Sequence, residues 1–282
     1  FDLSIDGRSV TTGQPVATGT PLLAQFDLGN ADTVRKRISV LMLDGDFSDL
    51  SVCTFWLPPA APLKTYQMKT HPTKAWTNAS IYFYVASGGT GDYRLDNVSV
   101  RTDASGSPAR TDCVDPTAPT AIDGAAAGAT LLTNGDFATG AIAPWGLFGD
   151  ITSQVSGGVF EFVRPGTPGL PAGVILQNTG AAMTANQLLT ASFQLGNSSA
   201  VRKRVTVLLH DSDFSDLSAC TFYVPPGQAL ATYLMHGFTT KAWGNATLSV
   251  YAATTGPQQW IQLDNVTLQR TPGTGTAGME CM

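Results

Sequence analysis

The stretch VRKRISVLMLDGDFSDLSVCTFWL, residues 34–57, returns as VRKRVTVLLHDSDFSDLSACTFYV, residues 201–224. Extended outward, the repeat runs without a gap from Asn30–Ala86 onto Asn197–Ala253, with more than half the positions identical. One inserted residue later, Leu95-Asp96-Asn97-Val98 matches Leu263-Asp264-Asn265-Val266. A repeat of this length implies two copies of one structural unit. Inside the quoted stretch the period is two: Val34, Lys36, Ile38, Val40 and Met42 share a face, as do Val201, Lys203, Val205, Val207 and Leu209. Upstream, Leu22, Ala24, Phe26 and Leu28 alternate with polar residues, as do Leu189, Ala191, Phe193 and Leu195. Such alternation defines half-buried strands. Gly and Pro turns at short intervals, with no helical period, predict an all-β chain of two tandem antiparallel β-sandwich modules.

The copies differ at the front. Phe1-Asp2-Leu3 aligns with Phe160-Glu161-Phe162, so the segment from Ala129 to Val159, with LLTNGDF and Trp145, has no counterpart in module one, which is expected to lack its opening strands. The predicted organisation is module one at 1–103, a linker at 104–128, module two at 129–271 and a tail at 272–282. The linker and tail are rich in Ala, Pro, Thr and Gly, which bury too little apolar surface to fold alone. Two modules suit 282 residues. A charged share of only 13% excludes long Glu/Lys surface helices, and a net charge of -5 gives no pull toward nucleic acid. No apolar run of the length needed to span a bilayer as a helix is present.

Cys53 aligns with Cys220 and Cys113 with Cys281. Two copies of a two-cysteine pattern predict intra-module disulfides Cys53–Cys113 and Cys220–Cys281, each closing a loop that stabilises by roughly 3 to 4 kcal/mol. Buried free thiols and inter-subunit bridges through Cys113 or Cys281 are the alternatives. Disulfides imply a secreted or cell-surface protein.

Catalysis is tested by the duplication. His71, His210 and His236 stand opposite Phe238, Leu43 and Lys69, so the copies share no histidine, and no GxSxG elbow is present. The shared aspartates Asp44/Asp211, Asp46/Asp213 and Asp49/Asp216 crowd one loop, where mutual exposure gives no reason for one pKa to rise. A non-catalytic protein is predicted. The same aspartates place oxygens at alternate positions but lack the Gly and Glu of an EF-hand loop, and they are expected to form a solvated turn. Asp264 alternates with Val266 and Leu268 and is therefore expected to point inward, where a carboxylate needs a cation or several donors.

The order of LLTNGDF, Trp145, several alternating strands and a closing QLDNVTL resembles the galactose-binding-like jelly rolls that serve as carbohydrate-binding modules. The resemblance covers nearly all of module two and all but the opening of module one. It implies a structural Ca2+ in module two, with Asp264 joined by Asn134 and Asp136, although Ala138 stands where those modules often carry an acid. It also implies a polysaccharide or cell-surface glycan as partner.

Sugar binding needs flat aromatic faces and hydrogen-bond donors on an exposed surface. Trp56/Tyr223 and Tyr84/Tyr251 alternate away from the core in both copies, with Arg35/Arg202 and Arg37/Arg204 on the adjacent strand. These are the candidate carbohydrate-binding residues. Trp76 and Trp243 are expected to plug the ends of the sandwiches, and the VRKR stripe to be a charged edge strand. Five Asn-x-Ser/Thr triplets begin at Asn78, Asn97, Asn197, Asn245 and Asn265. Two functions follow: a secreted tandem that binds glycan, or a repeat subunit of an extracellular fibre, sheath or adhesin that assembles with itself by strand donation. Identity in loops such as DFSDLS and TKAW fits either.

Overall fold

The computed structural model describes residues 2–3, 8–85, 92–105, 111–116, 128–256, 259–274 and 280–281. Module one contains β1 (Asp2–Leu3), β2 (Arg8–Thr11), β3 (Leu22–Asn30), β4 (Lys36–Asp44), β5 (Leu50–Leu57), β6 (Lys64–Thr70), β7 (Ala79–Val85), β8 (Tyr93–Thr102) and β9 (Asp112–Val114). Module two contains β10 (Gly146–Phe148), β11 (Thr152–Ser156), β12 (Val159–Val163), β13 (Val174–Asn178), β14 (Gln187–Asn197), β15 (Lys203–Asp211), β16 (Leu217–Val224), β17 (Ala231–Phe238), β18 (Ala246–Ala252), β19 (Ile261–Thr274) and β20 (Glu280–Cys281). No helix occurs among the described residues.

Module one pairs its strands as β1-β8-β3-β6-β9 and β2-β7-β4-β5, and module two as β11-β12-β19-β14-β17-β20 and β10-β13-β18-β15-β16. All ladders are antiparallel, and the chain passes repeatedly from one sheet to the other, as in a jelly roll. β1 to β9 correspond in order to β12 to β20. β10 and β11 have no equivalent among the described residues of module one. Each sandwich encloses its own apolar core, one around Phe26, Val40, Phe55 and Phe83, the other around Phe160, Phe193, Val207 and Phe222. β9 pairs with β6 and β20 with β17, and both predicted disulfides are formed. The linker drawn from composition therefore contains a strand of module one, and the tail a strand of module two. Residues 106–110 and 117–127 of that linker lie outside the described residues.

Local sequence explains the main features. Pro58-Pro59 and Pro225-Pro226 end β5 and β16, since proline offers no ladder donor. The buried Asn30 amide donates to the carbonyls of Val34, Leu57 and Pro58, and Asn197 repeats this with Val201, Val224 and Pro225. That burial takes the Asn197 triplet out of reach of a glycosylating enzyme. Gly135 is required where it stands, because a Cβ there would meet the Val266 carbonyl oxygen at 2.0 Å.

Two strand expectations are corrected. The VRKR strands are not edges: β4 lies between β7 and β5, and β15 between β18 and β16. Asp264 does not share the inward face of Val266 and Leu268. Asn265 adopts φ 48° and the β14–β19 register shifts between Ser192 and Gln194, so Ile261 and Leu263 point inward before this bulge and Val266 and Leu268 after it. The residue inserted by the bulge turns Asp264 outward and leaves it half-buried. Asn97 makes the same bulge in module one and leaves Asp96 exposed.

The modules pack on each other across a pseudo-two-fold axis through β5 and β16. The central contacts occur twice. Arg37 pairs with Asp216 and Arg204 with Asp49, all four side chains fully buried. Val52 N–H donates to Thr221 Oγ1 at 3.0 Å, and Ala219 N–H to Thr54 Oγ1 at 3.1 Å. Trp56 stacks on Phe238 with centroids 4.1 Å apart, and Tyr223 on His71 at 4.8 Å. Residue i of one copy meets residue j of the other and the reverse, which defines an isologous interface. The solvated-turn expectation is thereby corrected for Asp49 and Asp216, and also for Asp44 and Asp211, which are buried and accept from the backbone N–H of Asn78 and Asn245. Asp49 and Asp216 each also accept a hydrogen bond from the indole of their own module, Trp76 Nε1 at 2.8 Å and Trp243 Nε1 at 2.7 Å. Both tryptophans are buried, as the plug reading anticipates, and they orient the carboxylates that cross to the partner module.

Candidate functional site: a groove between the modules

Beside this contact, the outer faces of β4, β5 and β7 and of β15, β16 and β18 leave an open groove of about 520 Å³. Its lining comes in pairs, one residue from each module: Ser39/Thr206, Leu41/Leu208, Phe47/Phe214, Leu50/Leu217, Val52/Ala219 and Tyr84/Tyr251. Arg164, Leu170, Pro171 and Ala172 of module two and Asp46 of module one complete it.

Strand alternation puts Tyr84 and Tyr251 on this face, opposite the core residues Phe83 and Val250. Tyr84 is exposed and Tyr251 half-buried. Burial, with a smaller contribution from Tyr84, pushes the Tyr251 hydroxyl up to about 12, so it remains a neutral hydrogen-bonding group at physiological pH. The Ser39 hydroxyl lies 3.1 Å from Thr54 Oγ1, and Thr206 is 3.0 Å from Thr221 Oγ1.

Phe47 and Phe214 were not among the residues picked from sequence. Each sits in the β-turn of its DFSD loop, its N–H donating at 2.8 Å to Asp44 O or Asp211 O. Each has φ 59°, a left-handed conformation that a bulky residue adopts at a cost of about 1 to 2 kcal/mol. Phe47 packs edge-on against Tyr82 and Phe214 lies flat on His210, yet about 40% of Phe47 and 41% of Phe214 remain exposed at the groove. The signal available in sequence is a Phe kept in both copies at a turn position that favours Gly or Asn.

The other candidates are placed differently. Trp56 and Tyr223 alternate away from the core as expected, but the partner module covers them. Both are 5% exposed, so neither presents a free ring. Arg35 lies over Trp56 and Phe238, and Arg202 Nη1 is 3.1 Å from His71 Nε2. Arg37 and Arg204 are held by the reciprocal ion pairs. Of the predicted set, the structure brings together at the groove only Tyr84 and Tyr251.

Charge in the groove is balanced. Burial holds the Arg164 guanidinium below its usual range, opposed by Asp150 and Asp46, and Arg164 Nη1 donates to Phe47 O at 2.8 Å. The three histidines are buried: His71 against Tyr223, His210 against Phe214, and His236 with Nδ1 2.8 Å from Thr190 Oγ1.

At the predicted calcium position, Asp136 lies within electrostatic reach of Asp264, and Asn134 is engaged elsewhere. Burial raises the Asp264 carboxyl, and the charge on Asp136 raises it further. Asn134 instead donates its amide to Ala141 O and Ala143 O and accepts from Thr139. Calcium takes six to eight oxygens. Among the described residues no group of three or more His, Cys, Asp or Glu surrounds a point, so two carboxylates fall short of that cage.

A second cavity of about 510 Å³ lies by the two disulfides, but the flanking residues 106–110, 117–127 and 275–279 are outside the described set.

No protein-family model matches the chain, and no curated protein does. Solved structures similar to it include the enzymatically active domain of tailspike protein 4 of bacteriophage CBA120 (15% identity, TM-score 0.39, covering 50% of this chain and 21% of that one). An arabinose-bound GH51 α-L-arabinofuranosidase is similar at 16% identity and TM-score 0.42, covering 53% and 27%. A tandem of family 22 carbohydrate-binding modules from Paenibacillus barcinonensis Xyn10C is similar at 12% identity and TM-score 0.35, covering 94% of this chain and 83% of that one. The chain thus spans about a fifth and a quarter of the first two proteins.

Proposed function

We propose that the protein is a secreted, non-catalytic carbohydrate-binding tandem whose ligand lies in the groove between the modules. The observation that carries this reading is the groove itself, lined by Phe47, Phe214, Tyr84 and Tyr251, with a few hydroxyls and balanced charge. A neutral glycan has the complementary chemistry, with apolar CH faces to lie on rings and hydroxyls to exchange hydrogen bonds. An anionic ligand would find one cation, already bonded to Phe47 O. The two disulfides suit an oxidising compartment. The test is retention on insoluble polysaccharides. Wild type is expected to bind, and Tyr84→Ala or Tyr251→Ala to lose most of the retention; retention unchanged in both variants would overturn the reading.

Calcium in module two stays a proposal centred on Asp136 and Asp264. It predicts a melting temperature that rises by several degrees with added Ca2+ in wild type and does not move in Asp264→Asn.

One observation favours the filament alternative. Val98 and Val100 on β8 are half-buried, whereas Val266 and Leu268 at the equivalent positions are buried. A strand from a second copy would cover them. Electron microscopy of the native material decides it: regular filaments support the assembly, and discrete particles refute it.

A further inference from the structure

We infer that the two modules form one ligand site between them, filled once per chain, rather than two sites that cooperate through a linker. This rests on the carbohydrate reading above and adds its stoichiometry.

This groove belongs to neither module alone. Each supplies one member of every lining pair, so either sheet face alone is an open surface with one Tyr and one Phe, and the concavity exists only where the faces meet. Tyr84 and Tyr251 line the same groove, one from each module. A ligand on one tyrosine therefore occupies the approach to the other.

The halves are held in place. The Arg37–Asp216 and Arg204–Asp49 pairs cross the contact with all four side chains fully buried, and their reciprocal geometry fixes the register in which the two faces meet. The stacked pairs Trp56–Phe238 and Tyr223–His71 flank them. Opening the contact to offer two separate faces would undo all of these at once.

Module two adds a further wall. Ten residues, 164–173, connect β12 to β13. The loop is tied down by Asp150, which accepts from Gly166 N–H at 2.6 Å and Thr167 N–H at 2.8 Å. It presents Leu170 and Pro171 to the groove, while Arg164 reaches across to module one. A loop of one module that lines the surface of the other makes sense for a shared site.

The test uses the intact chain. A printed array of neutral oligosaccharides selects the best-retained soluble one, which is then titrated calorimetrically. One ligand per chain is expected, with Tyr84→Ala, Tyr251→Ala and Phe47→Gly each weakening affinity by roughly 10-fold or more while the stoichiometry stays at one. Phe47→Gly relieves a strained turn, so its fold should persist even if a tyrosine variant melts early. Two ligands per chain, or variants that remove half the capacity and leave the remaining affinity intact, would overturn the shared site while sustaining carbohydrate binding. An array with no retention would refute carbohydrate binding, and the shared site with it.

Discussion

Lys36 and Lys203 occupy the same position in the two modules and meet different environments. Lys36 Nζ is 3.2 Å from Asp32 and 4.9 Å from the centre of the Tyr93 ring. At the equivalent positions module two has Ser199 and Ile261, and Lys203 Nζ is buried with no hydrogen-bond partner. Burial lowers its pKa, and an amine in this state opposes folding. Lys203→Met is expected to stabilise the protein by about 1 to 2 kcal/mol, measured by urea denaturation, while Lys36→Met, which strips Asp32 of its partner, gives no such gain. His71 is a second case. Burial first, then the nearby Arg204 and Arg202, push it down to about 4 from an unfolded value near 6.5. Between those values the unfolded chain takes up a proton that the folded chain refuses. Stability is therefore full above about pH 6.5 and falls as pH drops toward 4, by up to roughly 3 kcal/mol. His71→Phe, which installs the residue of module two, should flatten that part of the curve of melting temperature against pH. A variant as acid-sensitive as wild type would show that His71 is not the source.

The element that organises the molecule is the pair β5 and β16. Each has one face in its own core, through Cys53 and Phe55 or Cys220 and Phe222, and the other against the partner module. Each is also tied by its disulfide to a tail strand. Their exclusion of water makes the crossed ion pairs sensitive to single changes. Arg37→Met leaves the Asp216 charge unpaired and is expected to cost about 3 to 5 kcal/mol. Adding Asp216→Asn, which keeps an acceptor for Trp243 Nε1, should recover most of that loss in a thermal melt. A double variant no more stable than the single one would show that the unpaired charge is not what destabilises Arg37→Met. The loops that precede these strands turn through Phe47 and Phe214, so one hairpin supplies both the inter-module contact and the rim of the groove.

At the scale of the whole molecule, the repeat, the two cores, the disulfide pairs and the plugging role of Trp76 and Trp243 were legible in the sequence, because each depends on local alternation or on register between the copies. The shared identity of DFSDLS and TKAW was visible too, but its purpose was not: Asp49, Ser51 and Trp76 resemble a polar turn and a core plug until Arg204 arrives from the other module. The outward aromatics were half legible. Alternation put Trp56, Tyr84, Tyr223 and Tyr251 on outer faces, and could not say that the first and third would be covered and the other two left at a groove. The bulge at Asn265 was hidden for a different reason, since a single left-handed residue reverses the phase of a strand without changing its composition. Sequence by itself determined two β-sandwich modules and the chemistry of each face, because strand periodicity and cysteine register are properties of the chain. Only the tertiary structure decided that these faces meet across a pseudo-two-fold axis. Which outward residues are covered depends on contacts between positions more than 150 residues apart, such as Arg37 with Asp216, and no local pattern encodes those.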